Sequence, residues 1–438
     1  MKKGIRVRFS NLFLVCFFAL LISSCKEKTK LPGKREDISF SLVELDKSKY
    51  DEGNVVLGYS FISPTECLKQ NFTNTNQYDG ISSKIKLKRK WSVDFSDPGS
   101  IDVPLNSNVL IVKNKVFVAD GAGTVYSIDV NTGKIIWKTR TSNKGISSGT
   151  FISYNNVNSL YVTTSFCDLF VIDMYSGKIR GVKTLSSPAK CPVVVDDNNL
   201  FVLSVDNKIA CYGMRNLESL WEYIGLFEDS GIIGLAQPAI NNDMIIATSK
   251  SGEVFALNTK NGALFWDYSI CKSKITDANA FITQIKASPV IYSGNVYIVS
   301  NVGKTCCLSL NKGEVIWNNA DFGGIKTPFV SGNAMFMIDS YGTLVALNNR
   351  SGKVFWKKNL NRENHVSEDS VNNISWFGPI VTLEGVTVFA DTGDCLVFSH
   401  SNGKLLKKIA LGHRIVAAPL LLRDKMILIS NIGISCFQ

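Results

Sequence analysis

Histidine is nearly missing from this chain. His365, His400 and His413 are the only three in 438 residues, and no two of them stand at H-x-x-x-H spacing. That excludes the helix-borne zinc motif of metalloproteases. None of the eleven cysteines forms a C-x-x-C pair, which argues against both a zinc ribbon and a thioredoxin-like redox motif. The longest wholly apolar run, Leu12–Ile22, spans eleven residues. A bilayer-crossing helix needs about 20. Heptads and long stretches of 3.6-residue period are also lacking, so helical solenoids are excluded. The net charge of +11 comes without a Lys/Arg block, which reads as a mildly basic, solvated surface, the alternative being a patch for anionic lipid or nucleic acid. What is abundant is apolar: 45% of the residues, enough for a substantial core.

The first thirty residues carry the most specific local signal. Lys2, Lys3, Arg6 and Arg8 precede the apolar run, and Leu21-Ile22-Ser23-Ser24-Cys25 then leads into the polar Lys26-Glu27-Lys28. The order of basic, short apolar and small residues is that of an export signal. It resembles the bacterial lipoprotein signal, with Ile22 where Leu is usual. The resemblance implies removal of 1–24 and lipidation of Cys25, and Lys26 implies sorting to the outer membrane. An ordinary secretory signal followed by an incidental cysteine is the alternative. Removing those four basic residues from 48 leaves 44 against 37 acidic ones, or +7. Without Cys16 and Cys25, nine cysteines remain at irregular spacing, neither a metal site nor a disulfide scaffold. Cys167, Cys211, Cys395 and Cys436 sit among apolar strand residues and read as small buried hydrophobes. Residues 25–85 read as a tether, with a strand expected near Asn54–Ile62.

From Lys86 onward the chain repeats itself. Gly123–Trp137 (GTVYSIDVNTGKIIW) has close copies at Gly252–Trp266, Gly303–Trp317 and Gly342–Trp356, and weaker ones ending at 181, 221 and 407. The closing positions are separated by 44, 40, 45, 51, 39 and 51 residues, a period typical of propellers. Within one copy, Val125–Asp129 alternates with period two, Asn131-Thr132-Gly133 makes a tight turn, and Ile135-Ile136-Trp137 begins the next strand. Two further short β runs precede it, so each unit holds four antiparallel strands, one propeller blade. Six of the seven tryptophans, all but Trp376, share one outer-strand position, where a large ring can fill the gap between blades. Eight third strands can be counted, from Val125–Ile128 to Ile434–Phe437, and the last lacks an outer strand. Lys90-Trp91-Ser92-Val93 is an outer strand without a blade. The expected fold is therefore all-β: an eight-bladed propeller over 86–438, closed by the strand around Trp91 on the C-terminal blade. Such closure removes an open sheet edge.

The repeat core, G-x-x-x-A-L-[DN]-x-x-[ST]-G-x-x-x-W, resembles the quinoprotein (PQQ-like) blade. With eight blades and the Cys25 signal, the chain is similar to the BamB-type family of outer-membrane β-barrel assembly lipoproteins. The resemblance implies a non-enzymatic scaffold at the periplasmic face of the outer membrane. It would dock on the periplasmic domains of the barrel-inserting subunit and help deliver unfolded outer-membrane proteins, with no catalytic, cofactor or metal residues and no nucleic acid. In that family, contact is attributed to two loops, one with Leu and Arg before a Pro, the other with Asp-x-Asp before the next such Pro. The matching positions here are Ile232 and Ile233 before Pro238, and Gln284 and Lys286 before Pro289. Ile232 keeps the apolar character, but the Arg and both Asp are missing.

Geometry points to the same face independently. Second-to-third-strand turns and blade-to-blade connections emerge together, and the long insertions, Cys271–Ala287 and Asn359–Trp376, are connections of that kind. The apolar Ile232-Ile233-Gly234-Leu235 lies on the same side and would form an exposed patch unless covered. Two other readings stay open. One is a PQQ-dependent dehydrogenase, suggested by the adjacent Cys306-Cys307, although successive strand residues point to opposite faces. The other is a different extracytoplasmic propeller binding protein. Asp120, Asp339 and Asp391, each opening a second-to-third-strand turn, read as structural.

Overall fold

The computed structural model describes residues 50–51, 53–57, 88–95, 108–141 and 149–438, apart from 156, 197, 226–235, 250, 271–284, 302–303, 365–373, 383, 423–424 and 431–432. Among the described residues, 32 strands form eight four-stranded antiparallel sheets. Each sheet is a blade whose strands are lettered a to d from the axis to the rim. Blade 1 consists of Leu110–Val112, Lys115–Ala119, Thr124–Asp129 and Ile135–Arg140. Blades 2 to 7 repeat the order, each with its four strands consecutive in the chain. Blade 8 takes strands a to c from Leu420–Phe437 and strand d from Arg89–Asp94, with Trp91 opposite Cys436. The expected closure is what forms. Among the described residues, helix is confined to one turn, Leu360–Glu363, after the outer strand of blade 6.

The b and c strands are buried on both faces, because each blade is sandwiched between two others. The period-two pattern therefore assigns residues to one inter-blade core or the next. Only the d strands show a solvent face, with the repeated order of two exposed residues and then alternation.

A three-residue ladder runs across six blades and explains much of the sequence. In blade 1, Phe117 on b pairs with Ser127 on c, which pairs with Trp137 on d. The equivalent trios are Phe201-Cys211-Trp221, Ile246-Ala256-Trp266, Tyr297-Cys307-Trp317, Phe336-Ala346-Trp356 and Ile427-Cys436-Trp91. The middle residue is always Ser, Ala or Cys, because a larger one would push the indole off the sheet. Cys211, Cys307 and Cys436 are thus packing residues. Cys167 departs from expectation: it lies just before the c strand of blade 2, half-buried and at φ 64°, in the turn.

Each of those tryptophans also locks onto the next blade. The indole N–H donates to a backbone carbonyl there, at Val130, Met174, Thr259, Leu310, Asn349 and His400, over 2.7–3.1 Å. The ring lies against that blade's c–d turn glycine. A Cβ on Gly133, Gly177, Gly262, Gly313, Gly352 or Gly403 would fall 2.5–2.7 Å from an indole carbon. These turns need glycine both for positive φ and for close approach.

The predicted tether contributes one docked piece. Tyr50 forms a parallel bridge to Val354 on the outer strand of blade 6, and the Asp51 amide donates to the Val354 carbonyl. Asp51 Oδ2 accepts from the Asn348 side chain, and Val56 exchanges backbone and side-chain bonds with Asn333. Val55 and Leu57, like Phe355, pack against the core between blades 6 and 7. Val354 is consequently 3% exposed, while its equivalents Ile135, Leu264 and Val315 are 41–46% exposed. The strand expected at Asn54–Ile62 is instead this irregular strap, bridged at Tyr50; residues 58–62 lie outside the described ones.

Candidate partner-binding face

The face formed by the b–c turns and the d–a connections is built around the starts of the a strands. A series of side-chain bonds ties successive blades there. Asn108 pairs its carboxamide with both backbone groups of Ile152, and Ser153 Oγ donates to the Val193 carbonyl. The Gln237 amide donates to Ser288 Oγ at 2.9 Å, and the Ser288 amide to Thr327 Oγ1 at 3.1 Å. Residues immediately before Pro238, Pro289 and Pro328 therefore hold blades 4, 5 and 6 in register, where proline itself lacks a donor.

The residues singled out for partner contact divide as follows. Ile232, Ile233, Leu235 and Gln284 lie outside the described residues. Lys286 is half-buried between buried Ile285 and Ala287 in the connection from blade 4 to blade 5, two residues before the Ser288 link. The links among Gln237, Ser288 and Thr327 thus tie together the starts of three successive blades next to Lys286. Between the rims of blades 4 and 5 lies a cleft of about 450 Å³ with a mixed lining that includes Asp267, Tyr268, Ile270, Lys304, Asn318 and Ala320. Lys304 Nζ closes one wall by donating to the Ile270 carbonyl at 3.3 Å.

Sequence reasoning missed a second feature of this face. Tyr341, in the b–c turn of blade 6, is 83% exposed, and Ile325, in the connection from blade 5, is 42% exposed. The turn is pinned beneath them: the Ser340 amide donates to the Gly323 carbonyl, and Asp339 Oδ1 accepts from the Tyr341 and Thr343 amides. Burial raises the Asp339 carboxyl despite those bonds. Lys326 stands 4.5 Å over the Phe377 ring, and its ammonium is pushed down by burial. An aromatic at a turn tip was the available signal.

The residues that tempted an enzymatic reading point elsewhere. Cys306 faces the core between blades 4 and 5, with Ile246 and Ile291; Cys307 faces the core between blades 5 and 6, with Trp317 and Met335. Burial raises both thiols, that of Cys307 to about 12. Asp120 is spent on its own turn, accepting from the Ala122 and Thr124 amides and from the Tyr126 hydroxyl. Among the described residues, no three His, Cys, Asp or Glu side chains are grouped to hold a metal. A quinone with its cation would thus find neither a vicinal disulfide nor an acidic cradle in these residues. One nucleophile-elbow string, Gly145-Ile146-Ser147-Ser148-Gly149, does occur in the sequence. Apart from Gly149 it lies outside the described residues, and strand Thr150–Tyr154 follows it.

Eight four-stranded blades, tryptophan-locked at six of their eight junctions, define an eight-bladed β-propeller. The chain belongs to the family described as outer membrane protein assembly factor BamB, whose pattern it matches over residues 88–156, 123–358 and 340–433. A protein of that name from Moranella endobia is 21% identical over 388 residues, covering 86% of this chain and 95% of the relative. An uncharacterized protein of Rickettsia prowazekii is 28% identical over 323 residues, 65% of this chain and 76% of its own length. The crystal structure of BamB from Moraxella catarrhalis superposes with a TM-score of 0.67 at 16% identity, over 80% of this chain and 99% of that one. A europium-containing methanol dehydrogenase shares the fold as well, with a TM-score of 0.62 at 12% identity, over 82% of this chain and 89% of that one.

Proposed function

We propose that the chain is a non-enzymatic scaffold lipoprotein of the outer-membrane β-barrel assembly machinery. It is anchored through Cys25 at the periplasmic face of the outer membrane and binds the periplasmic domains of the barrel-inserting subunit. The family match across the whole propeller carries this reading. The contact is assigned to the connections from blade 3 to 4 and from blade 4 to 5, with Ile232, Ile233, Leu235, Gln284 and Lys286. The Gln237–Ser288–Thr327 links support it, since a preorganised frame lowers the ordering cost of binding. Unfolded outer-membrane proteins are a further partner in this reading.

The test is affinity recovery from detergent-solubilised envelopes. Recovery of the barrel-inserting subunit is expected, weakened at least tenfold by Ile232→Asp with Lys286→Glu in a variant that melts like the parent. Unchanged recovery would move the interface elsewhere, and no recovery from the parent would end the assembly reading. Palmitate labelling that survives Cys25→Ser would remove the lipid anchor. The likeness to a methanol dehydrogenase favours one other reading, a quinone- and cation-dependent oxidoreductase. Dye reduction that depends on added pyrroloquinoline quinone and Ca²⁺ would establish it.

A further inference from the structure

The rim of the propeller is divided by charge. The outer strands of blades 6, 7, 8, 1 and 2 are neighbours around the ring, and each carries two basic residues. They are Lys357 and Lys358, Lys407 and Lys408, Arg89 and Lys90, Lys138 and Arg140, and Arg180 and Lys183, against the single acid Asp94. The outer strands of blades 3, 4 and 5 carry no basic residue and two acids, Glu222 and Asp267. The residue after each c–d turn repeats the division. It is Lys134, Lys178, Lys353 and Lys404 on the first arc, but Glu218, Ala263 and Glu314 on the second. Some of these charges are paired, Arg180 with Asp173, Lys407 with Glu384 and Lys208 with Glu222. Lys260 and Lys312, in the turns of the acidic arc, stand beside Asp243 and Glu314. The local pairs leave the division intact.

A second, independent observation selects what the basic arc meets. The N-terminal part of the chain touches the propeller at two described places: the strap Tyr50–Leu57 on blade 6, and Arg89–Asp94 in blade 8. Both lie on the basic arc. The strap also shortens the tether. From Cys25 to Tyr50 an extended chain reaches at most about 90 Å, whereas from Cys25 to Lys88 it would reach about 220 Å. The strap thus fixes Tyr50, where the tether meets the propeller, on the side where the positive charge is gathered.

We infer that the basic arc of blades 6, 7, 8, 1 and 2 is a membrane-facing surface that rests on anionic lipid headgroups, with the strap holding the tether on that side. This rests on the reading of Cys25 as a lipid anchor. The acidic arc then faces away, and it is the arc that carries the connections assigned to the protein partner, so both contacts can be made at once. A basic side chain near an anionic surface raises partitioning about fivefold, the equivalent of ~1 kcal/mol, and salt screens the attraction.

The experiment uses the unacylated mature chain, residues 25–438 with Cys25→Ser, sedimented with vesicles of phosphatidylethanolamine containing 30% phosphatidylglycerol or none. Binding is expected only with phosphatidylglycerol at low salt. Lys138→Glu with Lys357→Glu should lower it at least tenfold, while Lys260→Glu with Lys312→Glu, the same change in net charge on the other arc, should lower it less than twofold. Thermal melts establish that both pairs fold. If the two pairs bind alike, or the parent ignores anionic vesicles, the surface assignment is wrong, whatever palmitate labelling shows for Cys25. Binding to acidic proteins but not to vesicles would overturn it equally.

Discussion

Six blade junctions carry a tryptophan lock and two do not, and the two exceptions show what the lock requires. At the junction of blades 2 and 3 the outer-strand position is Gly181, and the next blade's turn has Leu217 where the others have glycine. Leu217 accepts φ 55° and is 8% exposed, packed in the core with Tyr161 and Val171. At the junction of blades 7 and 8 the position is Lys407, and blade 8 has no c–d turn to receive a ring, because its d strand comes from the other end of the chain. The middle residue of the ladder changes in step: Val171 and Val397 stand where the locked blades have Ser, Ala or Cys. Tryptophan, turn glycine and small middle residue are therefore one unit, present or replaced together.

The largest effect should come from opening a lock. Trp317 is 7% exposed and bonded to the Asn349 carbonyl, so Trp317→Ala removes a ring between two blades and orphans an acceptor. A loss of about 3–5 kcal/mol is expected in denaturant unfolding. Lys407→Ala, at the unlocked junction, should cost less than about 1 kcal/mol, since its exposed ion pair with Glu384 contributes little. Equal losses would mean that the ring does not hold the blades.

Next is the turn. A methyl on Gly352 would lie 2.5 Å from Trp317 Cε3, at a backbone φ of +70°. Gly352→Ala combines overpacking with a left-handed conformation that L residues resist, and about 2–4 kcal/mol is expected in the same assay. Gly294→Ala has a similar φ of +77° with open space around it, so it should cost about 1–2 kcal/mol. The difference between the two measures the contact alone.

Blade number and closure could be read from the sequence because the lock repeats at one phase, and the incomplete blade at each end told how the ring shuts. Two things escaped. The ladder depends on cross-strand register, which no single strand displays, so the opposite facing of Cys306 and Cys307 could be read from the strand, but not the place of Cys307 beneath Trp317. The strap pairs residues near 50 with residues near 333 and 354, has no copy elsewhere in the chain, and sits in a segment that reads as linker. The partner loops were legible only as positions before Pro238 and Pro289, because blade connections vary in length and carry no repeat phase. Tyr341 was visible in the sequence, but nothing in the repeat marks a turn tip as exposed.

Building a lock where evolution has none sharpens the comparison further. No atom lies within 4 Å of a Cβ at Gly181, so the strand can take a side chain there, but an indole would run into Val171 and Leu217. Gly181→Trp alone should destabilise by about 1–3 kcal/mol. With Val171→Ala and Leu217→Gly added, stability should return to within about 1 kcal/mol of the parent, a strong coupling among three contacting sites. Additive losses would show that the trio is not a unit.

The smallest effect is expected at the middle of the ladder, and it separates packing from chemistry. Cys307→Ala places at that position the residue that Ala256 and Ala346 already supply, so at neutral pH it should cost less than about 1.5 kcal/mol. In alkali the two proteins should differ. Burial raises the Cys307 thiol from 9.0 to about 12, so between those values the unfolded chain loses this proton while the folded chain keeps it. Ionisation then favours the unfolded state, and the contribution of the neutral thiol to stability is lost as pH rises through that window. Removing the thiol removes that slope. Melts of parent and Cys307→Ala at pH 7 and pH 10 should show the variant relatively more stable at the higher pH. An identical pH dependence would mean that the sulfur is not held dry beneath Trp317.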